Sequence, residues 1–182
     1  MIKLKHIHIF GASGSGTTTL GIAISVETRI PLFDIDEYFW EETDPPFLEK
    51  RTCEERIRLM RQDLSKNNSW IISGSMMDWG DLFLPELDLA VYLHMPQETR
   101  IERLIKREKE RFGSRIDPGN DMHQSHIDFM DWAGKYDNGG MEVRSKFKHS
   151  EWMKKLSCKI IKIEQDIELK DKLDIVLKDI QS

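Results

Sequence analysis

The chain has 182 residues, of which 39% are hydrophobic and 32% are charged, a composition that fits one globular domain and excludes a disordered chain. No apolar run approaches the roughly 20 residues that cross a bilayer, and the net charge of −5 argues against a general nucleic-acid binder. Cys53 and Cys158 fall in no metal-ligating pattern and predict free thiols in a reducing compartment. We therefore expect a cytoplasmic protein that binds neither membranes nor nucleic acid; the sequence does not indicate its oligomeric state.

Strand-like and helix-like segments alternate, which predicts a single α/β domain over residues 1–182 with a mostly parallel sheet. The predicted strands are 7–10, 31–34, 70–73, 87–93 and 158–163, and the predicted helices are 17–27, 49–66, 97–112 and a last one around 173–180. Residues 113–150 lack a clear period and are rich in Gly, Asp, Asn and His. We interpret them as a lid, partly helical around residues 126–133.

Apolar residues at helical spacing are the expected core positions. In helix 17–27 they are Leu20, Ala23, Ile24 and Val26, and in helix 97–112 they are Ile101, Leu104, Ile105 and Phe112.

A loop rich in glycine, serine and threonine follows the first predicted strand and opens the first helix. Its sequence, Gly11-Ala12-Ser13-Gly14-Ser15-Gly16-Thr17-Thr18, follows the phosphate-binding motif G-x-x-x-x-G-K-[ST]. Glycines permit left-handed backbone, so that N–H groups of the loop and the helix N-terminus point at phosphate oxygens. Thr18 takes the position of the Mg²⁺-binding hydroxyl. The candidate nucleotide-binding residues are Gly11, Ser13, Gly14, Ser15, Gly16, Thr17, Thr18 and Thr19.

Thr17 takes the place of the lysine in this motif. That lysine normally bridges the terminal phosphates and compensates charge during phosphoryl transfer. A threonine donates one hydrogen bond and carries no charge. Either another cation replaces the lysine, or the loop binds nucleotide without efficient catalysis.

A dinucleotide-binding turn is the other interpretation of these glycines. The pattern G-x-G-x-x-G, begun at Gly14 and Gly16, requires a third glycine where Thr19 stands. The Tyr-x-x-x-Lys pair of short-chain dehydrogenases is absent from the sequence as well. The phosphate loop of a nucleoside triphosphate site is therefore favoured.

Two aspartates follow the second predicted strand. Asp34 and Asp36 would lie at the carboxyl end of that strand, where open α/β sheets bind ligands. They could position the waters of Mg²⁺ or accept a proton from a substrate hydroxyl. The structural alternative is that they cap a helix or lie in a solvated turn. We predict both as catalytic, with Asp36 and Thr18 near the metal.

A stripe of arginines follows on helix 97–112. Arg103, Arg107 and Arg111 are spaced four residues apart and so share one helix face. We expect Arg103 and Arg107 to stabilise charge on the transferred phosphoryl group, and Arg111 and Arg144 to bind nucleotide. The alternative is a solvated face of weak ion pairs.

With these motifs the chain resembles the adenylate kinase-like family of P-loop kinases, which includes shikimate and gluconate kinases. The specific matches are the loop, Phe33-Asp34-Ile35-Asp36, which looks like the acidic pair of shikimate kinases, and Arg103-Leu104-Ile105-Lys106-Arg107, which looks like the lid-entry arginines of nucleotide kinases. The resemblance implies a five-stranded parallel sheet flanked by helices, a hinged lid and ATP·Mg²⁺ as phosphoryl donor.

Two departures from the family pattern leave the acceptor open. One is Thr17. The other is Ser73-Gly74-Ser75-Met76-Met77-Asp78, which lacks the triple glycine of shikimate kinases and the acceptor-binding arginine of nucleotide kinases. Arg51, Arg56 and Arg58 could hold an anionic acceptor, whereas the acidic stretch 34–49 suits a neutral or cationic one. We predict an ATP-dependent small-molecule kinase; the alternative is a weakly active or inactive nucleotide-binding protein with a regulatory role.

Overall fold

Five parallel strands form one sheet in the order β2-β3-β1-β4-β5 in a computed structural model that describes residues 5–181. The strands are β1 (His6–Gly11), β2 (Leu32–Asp34), β3 (Trp70–Ser73), β4 (Leu89–Leu93) and β5 (Lys159–Ile163). The helices are α1 (Thr17–Thr28), α2 (Ile35–Phe39), α3 (Cys53–Leu64), α4 (Gln97–Phe112), α5 (His123–Gly134), α6 (Lys146–Met153) and α7 (Leu169–Gln181). Two short 3-10 helices span Asp81–Glu86 and Gly113–Ile116.

The central strand β1 is buried on both faces of the sheet. Ile7 and Ile9 pack with α1 and α7, and Phe10 packs on the opposite side with Trp70 and Trp152. Such runs are typical of parallel strands covered by helices on both sides. The α/β fold with five parallel strands and flanking helices, predicted from the sequence, is confirmed.

Two of the expected core positions are wrong. Val26 is 72% exposed and Ile105 is 47% exposed. On α1 the buried stripe runs through Leu20 and Ile24, and Val26 lies two residues further, which turns it to the opposite side of the helix. On α4 the buried stripe is Arg100, Leu104, Glu108 and Phe112. Two charged residues therefore occupy core-facing positions that an apolar pattern does not reveal.

Helix boundaries also differ from the sequence-based expectation. Helix α3 begins at Cys53 rather than near residue 49, because the Thr52 side chain caps it by accepting a 3.2 Å hydrogen bond from the backbone N–H of Glu55. The segment predicted to be a lid (residues 113–150, here called the lid segment) contains all of α5 and the start of α6, and so is more helical than predicted. Within residues 5–181, no helix is both long and apolar enough to cross a membrane.

A buried ion pair fastens the lid segment to α4. The fully buried Arg100 donates through Nη2 to Asp137 Oδ2 at 2.6 Å and through Nε to the Met95 carbonyl at 3.2 Å. His94 Nε2 lies 2.9 Å from the other oxygen of Asp137. Burial alone would raise the pKa of Asp137, but hydrogen bonds from His94 and Arg100 hold it below its ordinary value. The Asp137 carboxylate thus compensates the charge of the Arg100 guanidinium, which has no access to solvent.

The substitution Asp137→Asn keeps the shape of the side chain and removes this counter-charge. We expect the free energy of unfolding to fall by about 3 kcal/mol, because a buried guanidinium is left uncompensated. Urea denaturation at pH 7 measures this loss. The matched control is Asp131→Asn, since Asp131 pairs with Lys135 on the surface and should change stability by less than about 0.5 kcal/mol. Equal effects of the two substitutions would contradict the anchoring role of Asp137.

Candidate active site

The loop between β1 and α1 has the backbone shape of an anion-binding nest. Gly14 and Gly16 both have positive φ, +81° and +92°, which side chains disfavour. Gly16 precedes α1 without a side-chain cap, and the first turn of the helix contains no acidic residue. The first N–H groups of α1 consequently have no partner within the helix. The buried hydroxyl of Ser15 also has no hydrogen-bond partner among the described residues.

Close packing requires two of the loop glycines. A Cβ on Gly11 would lie 2.2 Å from the carbonyl oxygen of Leu93, and one on Gly14 would lie 2.8 Å from that of Arg100. The backbone of the loop therefore packs directly against the backbone of β4 and α4. Donors that are fixed in advance and directed at one point are what a phosphate chain binds.

Asp34 joins the loop to the neighbouring strands. One of its oxygens, Oδ2, accepts hydrogen bonds from the Thr18 hydroxyl at 2.7 Å and from the Ser73 hydroxyl at 3.0 Å. The other oxygen accepts the backbone N–H of Asp36 at 3.0 Å and so caps α2. The capping alternative considered for Asp34 thus holds together with its position beside Thr18.

Asp36 lies across the cleft among arginines. Desolvation and the adjacent Asp34 carboxylate raise the pKa of Asp36, whereas Arg144, Arg107 and Arg111 lower it. Its side chain still reaches solvent through the open cleft. The two carboxylates therefore have different surroundings. Asp34 contacts the Thr18 hydroxyl, which is the candidate metal ligand, and Asp36 faces the arginines. The sequence alone paired Asp36 rather than Asp34 with Thr18 at the metal.

The loop divides a continuous cleft into two parts, which share Gly14, Thr17, Thr18 and Arg107. The first, here called the donor half, has a volume of about 550 Å³ and is bounded by Arg103 and the start of α7. The second, the acceptor half, has a volume of about 530 Å³. It is bounded by Asp34, Asp36, Arg111 and Arg144 together with six aromatic side chains, Phe39, Trp40, Phe47, Phe112, Phe129 and Trp132.

The arginines expected to act together lie in different parts of this cleft. Arg107 faces both halves. Arg103 reaches the donor half, with Nη1 on the Met95 sulfur at 2.8 Å and Nη2 3.9 Å from Asp166. Arg111 and Arg144 stand at the acceptor half over the rings of Phe47 (4.6 Å) and Trp132 (5.2 Å). Ring stacking fixes their orientation while the guanidinium groups stay charged.

Three other arginines named from the sequence as acceptor contacts are engaged elsewhere. Arg51 pairs with Glu41 at 3.3 Å, Arg58 pairs with Glu55 at 2.7 Å, and the buried Arg56 stacks on Phe39 at 3.8 Å. None of the three lines the described cleft. The positive charge of the acceptor half comes from α4, Arg144 and Lys50 instead.

Sequence reasoning missed several lining residues. Trp40 and Phe47 fall in an irregular acidic stretch that gave no structural signal. Lys172 lines the donor half. Its position on the core-facing side of the helix could have been predicted from the sequence, since it precedes Val176 and Ile180 at four-residue spacing.

Comparison with known proteins identifies the family. The model of a family described as an AAA domain matches residues 7–127, which include the loop, both aspartates and helix α4. The chain belongs to this family. It is also 43% identical over 173 residues to the uncharacterized protein YqaC of Bacillus subtilis (strain 168), covering 95% of this chain and 96% of that protein.

Solved structures with a fold similar to that of this chain include small-molecule kinases. Shikimate kinase from Acinetobacter baumannii superposes with a TM-score of 0.55 at 15% identity, covering 98% of this chain and 94% of that one. Deoxyadenosine kinase from M. mycoides gives a TM-score of 0.54 at 14% identity, covering 98% and 100%. At such identities the likeness concerns the fold, which is that of P-loop kinases.

The electrostatic arrangement around Asp36 can be tested directly. In Asp34→Asn we expect the pKa of Asp36 to fall, because a neighbouring negative charge is removed, and in Arg144→Met we expect it to rise. Carboxyl ¹³C NMR titration of aspartate-labelled protein measures both shifts. Asp44→Asn is the control, since Asp44 pairs with Arg115 outside the cleft walls and should leave Asp36 unchanged. Shifts of the opposite sign would refute the arrangement.

Proposed function

We propose that this AAA-domain protein transfers a phosphoryl group from ATP·Mg²⁺ to a small acceptor with a hydroxyl or phosphate group. The observation that supports this most strongly is convergence at one cleft. The glycine loop and the uncapped N-terminus of α1 lie between a hydroxyl–carboxylate pair, Thr18 and Asp34, and a set of guanidinium groups centred on Arg107. These are the parts that phosphoryl transfer needs: an anion cradle, a metal position and positive charge.

The loop suits the phosphate chain of a nucleotide. Left-handed Gly14 and Gly16 shape the loop, the start of α1 has no side-chain cap, and the Ser15 hydroxyl has no hydrogen-bond partner among the described residues. Thr17 adds a hydroxyl where the usual motif has an ammonium group. Binding therefore uses the loop backbone, and charge compensation has to come from other elements.

The oxygen atoms at Thr18 and Asp34 suit magnesium. Mg²⁺ prefers oxygen ligands, keeps several waters and typically uses one or two protein groups together with substrate phosphates. The Thr18 hydroxyl would bind the ion directly, and Asp34, 2.7 Å from it, would hold a coordinated water. When bound, the ion would neutralise charge on the donor phosphates. The sequence-based assignment of Asp36 to the metal remains a prediction.

Asp36 is the better candidate to receive the acceptor's proton. Both oxygens of Asp34 already accept hydrogen bonds from the protein, three in all. Asp36 faces the acceptor half, and its pKa is raised above that of an ordinary aspartate. A general base works best when its pKa lies near the working pH. The aromatic side chains around it favour an acceptor with a flat or apolar part.

Transfer should depend strongly on Arg107. With ATP, Mg²⁺ and a panel of nucleosides, nucleotides and sugar acids, we expect detectable consumption of ATP with at least one acceptor. Arg107→Ala should then reduce kcat by about 10³-fold, as for an arginine that stabilises transition-state charge, and Arg103→Ala should also abolish most of the transfer. The control is Lys106→Ala, because Lys106 is an exposed neighbour outside the cleft. Unchanged rates in both arginine variants would refute their catalytic roles.

A nucleotide-binding protein with little turnover is the second candidate, and Thr17 is the feature that favours it. The substitution Thr17→Lys distinguishes the two functions. If arginines already supply the charge, the variant should change kcat by less than about tenfold, because a further cation is redundant. A large gain of phosphoryl transfer from an inactive parent would instead favour the binding protein. Calorimetry with ATP, with and without Mg²⁺, establishes beforehand that the parent and the variant both bind nucleotide.

A further inference from the structure

Helix α7 has a lysine on its core-facing side. Lys172, Val176 and Ile180 are spaced four residues apart and are the buried residues of this helix. Val176 and Ile180 are completely buried, and Lys172 is only 8% exposed. Its ammonium nitrogen is not among the buried atoms that lack a partner, so the aliphatic stem is buried while the charged end meets the cavity, partly desolvated. A cation placed in this way is accessible to a ligand.

The described part of the chain provides no direct partner for this ammonium group. Lys172 makes no side-chain hydrogen bond and no salt bridge within residues 5–181. The nearest carboxylates, Asp166 and Glu168, act on it only at longer range, and Arg103 opposes them. Desolvation lowers the pKa of Lys172, as expected for a charge whose partner is missing.

The Lys172 side chain lines the donor half of the cleft. That cavity also contains the loop from Gly14 to Thr19, Arg103 and Arg107. Three cations therefore line a cavity that ends at a helix N-terminus without an acidic residue in its first turn, and two carboxylates, Asp166 and Glu168, line it as well. The cations outnumber the carboxylates by one, and together with the helix N-terminus they favour an anionic group.

We propose that Lys172 binds the phosphate chain of the nucleotide and supplies, from α7, part of the positive charge that Thr17 lacks. The proposal rests on the proposed function in taking a nucleotide as the ligand. The P-loop lysine would then be replaced by a lysine about 155 residues further along the chain, brought to the loop because α7 packs against α1. Ligand binding would compensate a charge that is partly desolvated and has no direct partner among the described residues of the free protein.

Three variants test the proposal: Lys172→Met, Lys172→Arg and the control Lys170→Met, which removes an exposed lysine from the same helix. Affinities are measured for ATP and for inorganic tripolyphosphate, which has the charge of the phosphate chain but no base. We expect Lys172→Met to weaken both ligands about tenfold, the effect of one charge-assisted hydrogen bond. Lys172→Arg should restore most of the affinity, and Lys170→Met should change neither ligand.

The melting temperature of the free protein provides a second measurement. Because Lys172→Met removes a desolvated charge, the variant should melt at the same or a higher temperature although it binds more weakly. A lysine that only supported the fold would give the opposite result, a lower melting temperature.

Two results would overturn the inference while leaving the proposed function intact. One is wild-type affinity of Lys172→Met for ATP. The other is weaker ATP binding with unchanged tripolyphosphate binding, which would place Lys172 at the base or ribose. Failure of the wild-type protein to bind ATP would refute the proposed function itself.

Discussion

The central position of β1 is the constraint on which the candidate site depends. The strand pairs with β3 on one side and β4 on the other, so the chain leaves it where the order of the strands reverses. In open α/β sheets this point forms the binding crevice. At Gly11 the backbone is so close to Leu93 that a Cβ would overlap its carbonyl oxygen. The pairing of β1 with β3 aligns Ile9 with Ser73, and the pairing of β2 with β3 places Ser73 beside Asp34 at the edge of the sheet.

The site distributes its charges over separate elements. Negative charge comes from Asp34 and Asp36, at the junction of β2 and α2, and positive charge comes from α4 and Arg144, which is in the lid segment. Each element alone would carry uncompensated charge, and the pKa of Asp36 reflects contributions of both signs. Three arginines act on Asp36 against one neighbouring carboxylate, Asp34, so this part of the site favours a negatively charged ligand. Over the whole lining of the cleft, cationic side chains and carboxylates are equal in number, six of each.

A second polar network lies behind the loop and supports it. The Tyr136 hydroxyl lies 2.8 Å from the Tyr92 hydroxyl and 2.7 Å from His149 Nδ1, and His149 packs against Phe10 at the end of β1. Burial lowers the pKa of His149 to about 3, so the ring is neutral at physiological pH. Together with the Arg100–Asp137 pair, this network ties the lid segment to the strand that carries the loop. Fully satisfied buried networks of this kind specify one arrangement.

The sequence by itself determined the α/β class, the strand at 70–73, helix 97–112 and the position of the phosphate loop, because these depend on local periodicity and on glycine backbone freedom. Only the tertiary structure decided which charges meet. The contact of Asp34 with Thr18 and the burial of Arg100 depend on strand pairing and helix packing between residues distant in the chain. The same is true of Lys172 at the donor half. A sequence pattern shows which side of a helix is apolar, but it does not show what lies opposite a charged residue on that side.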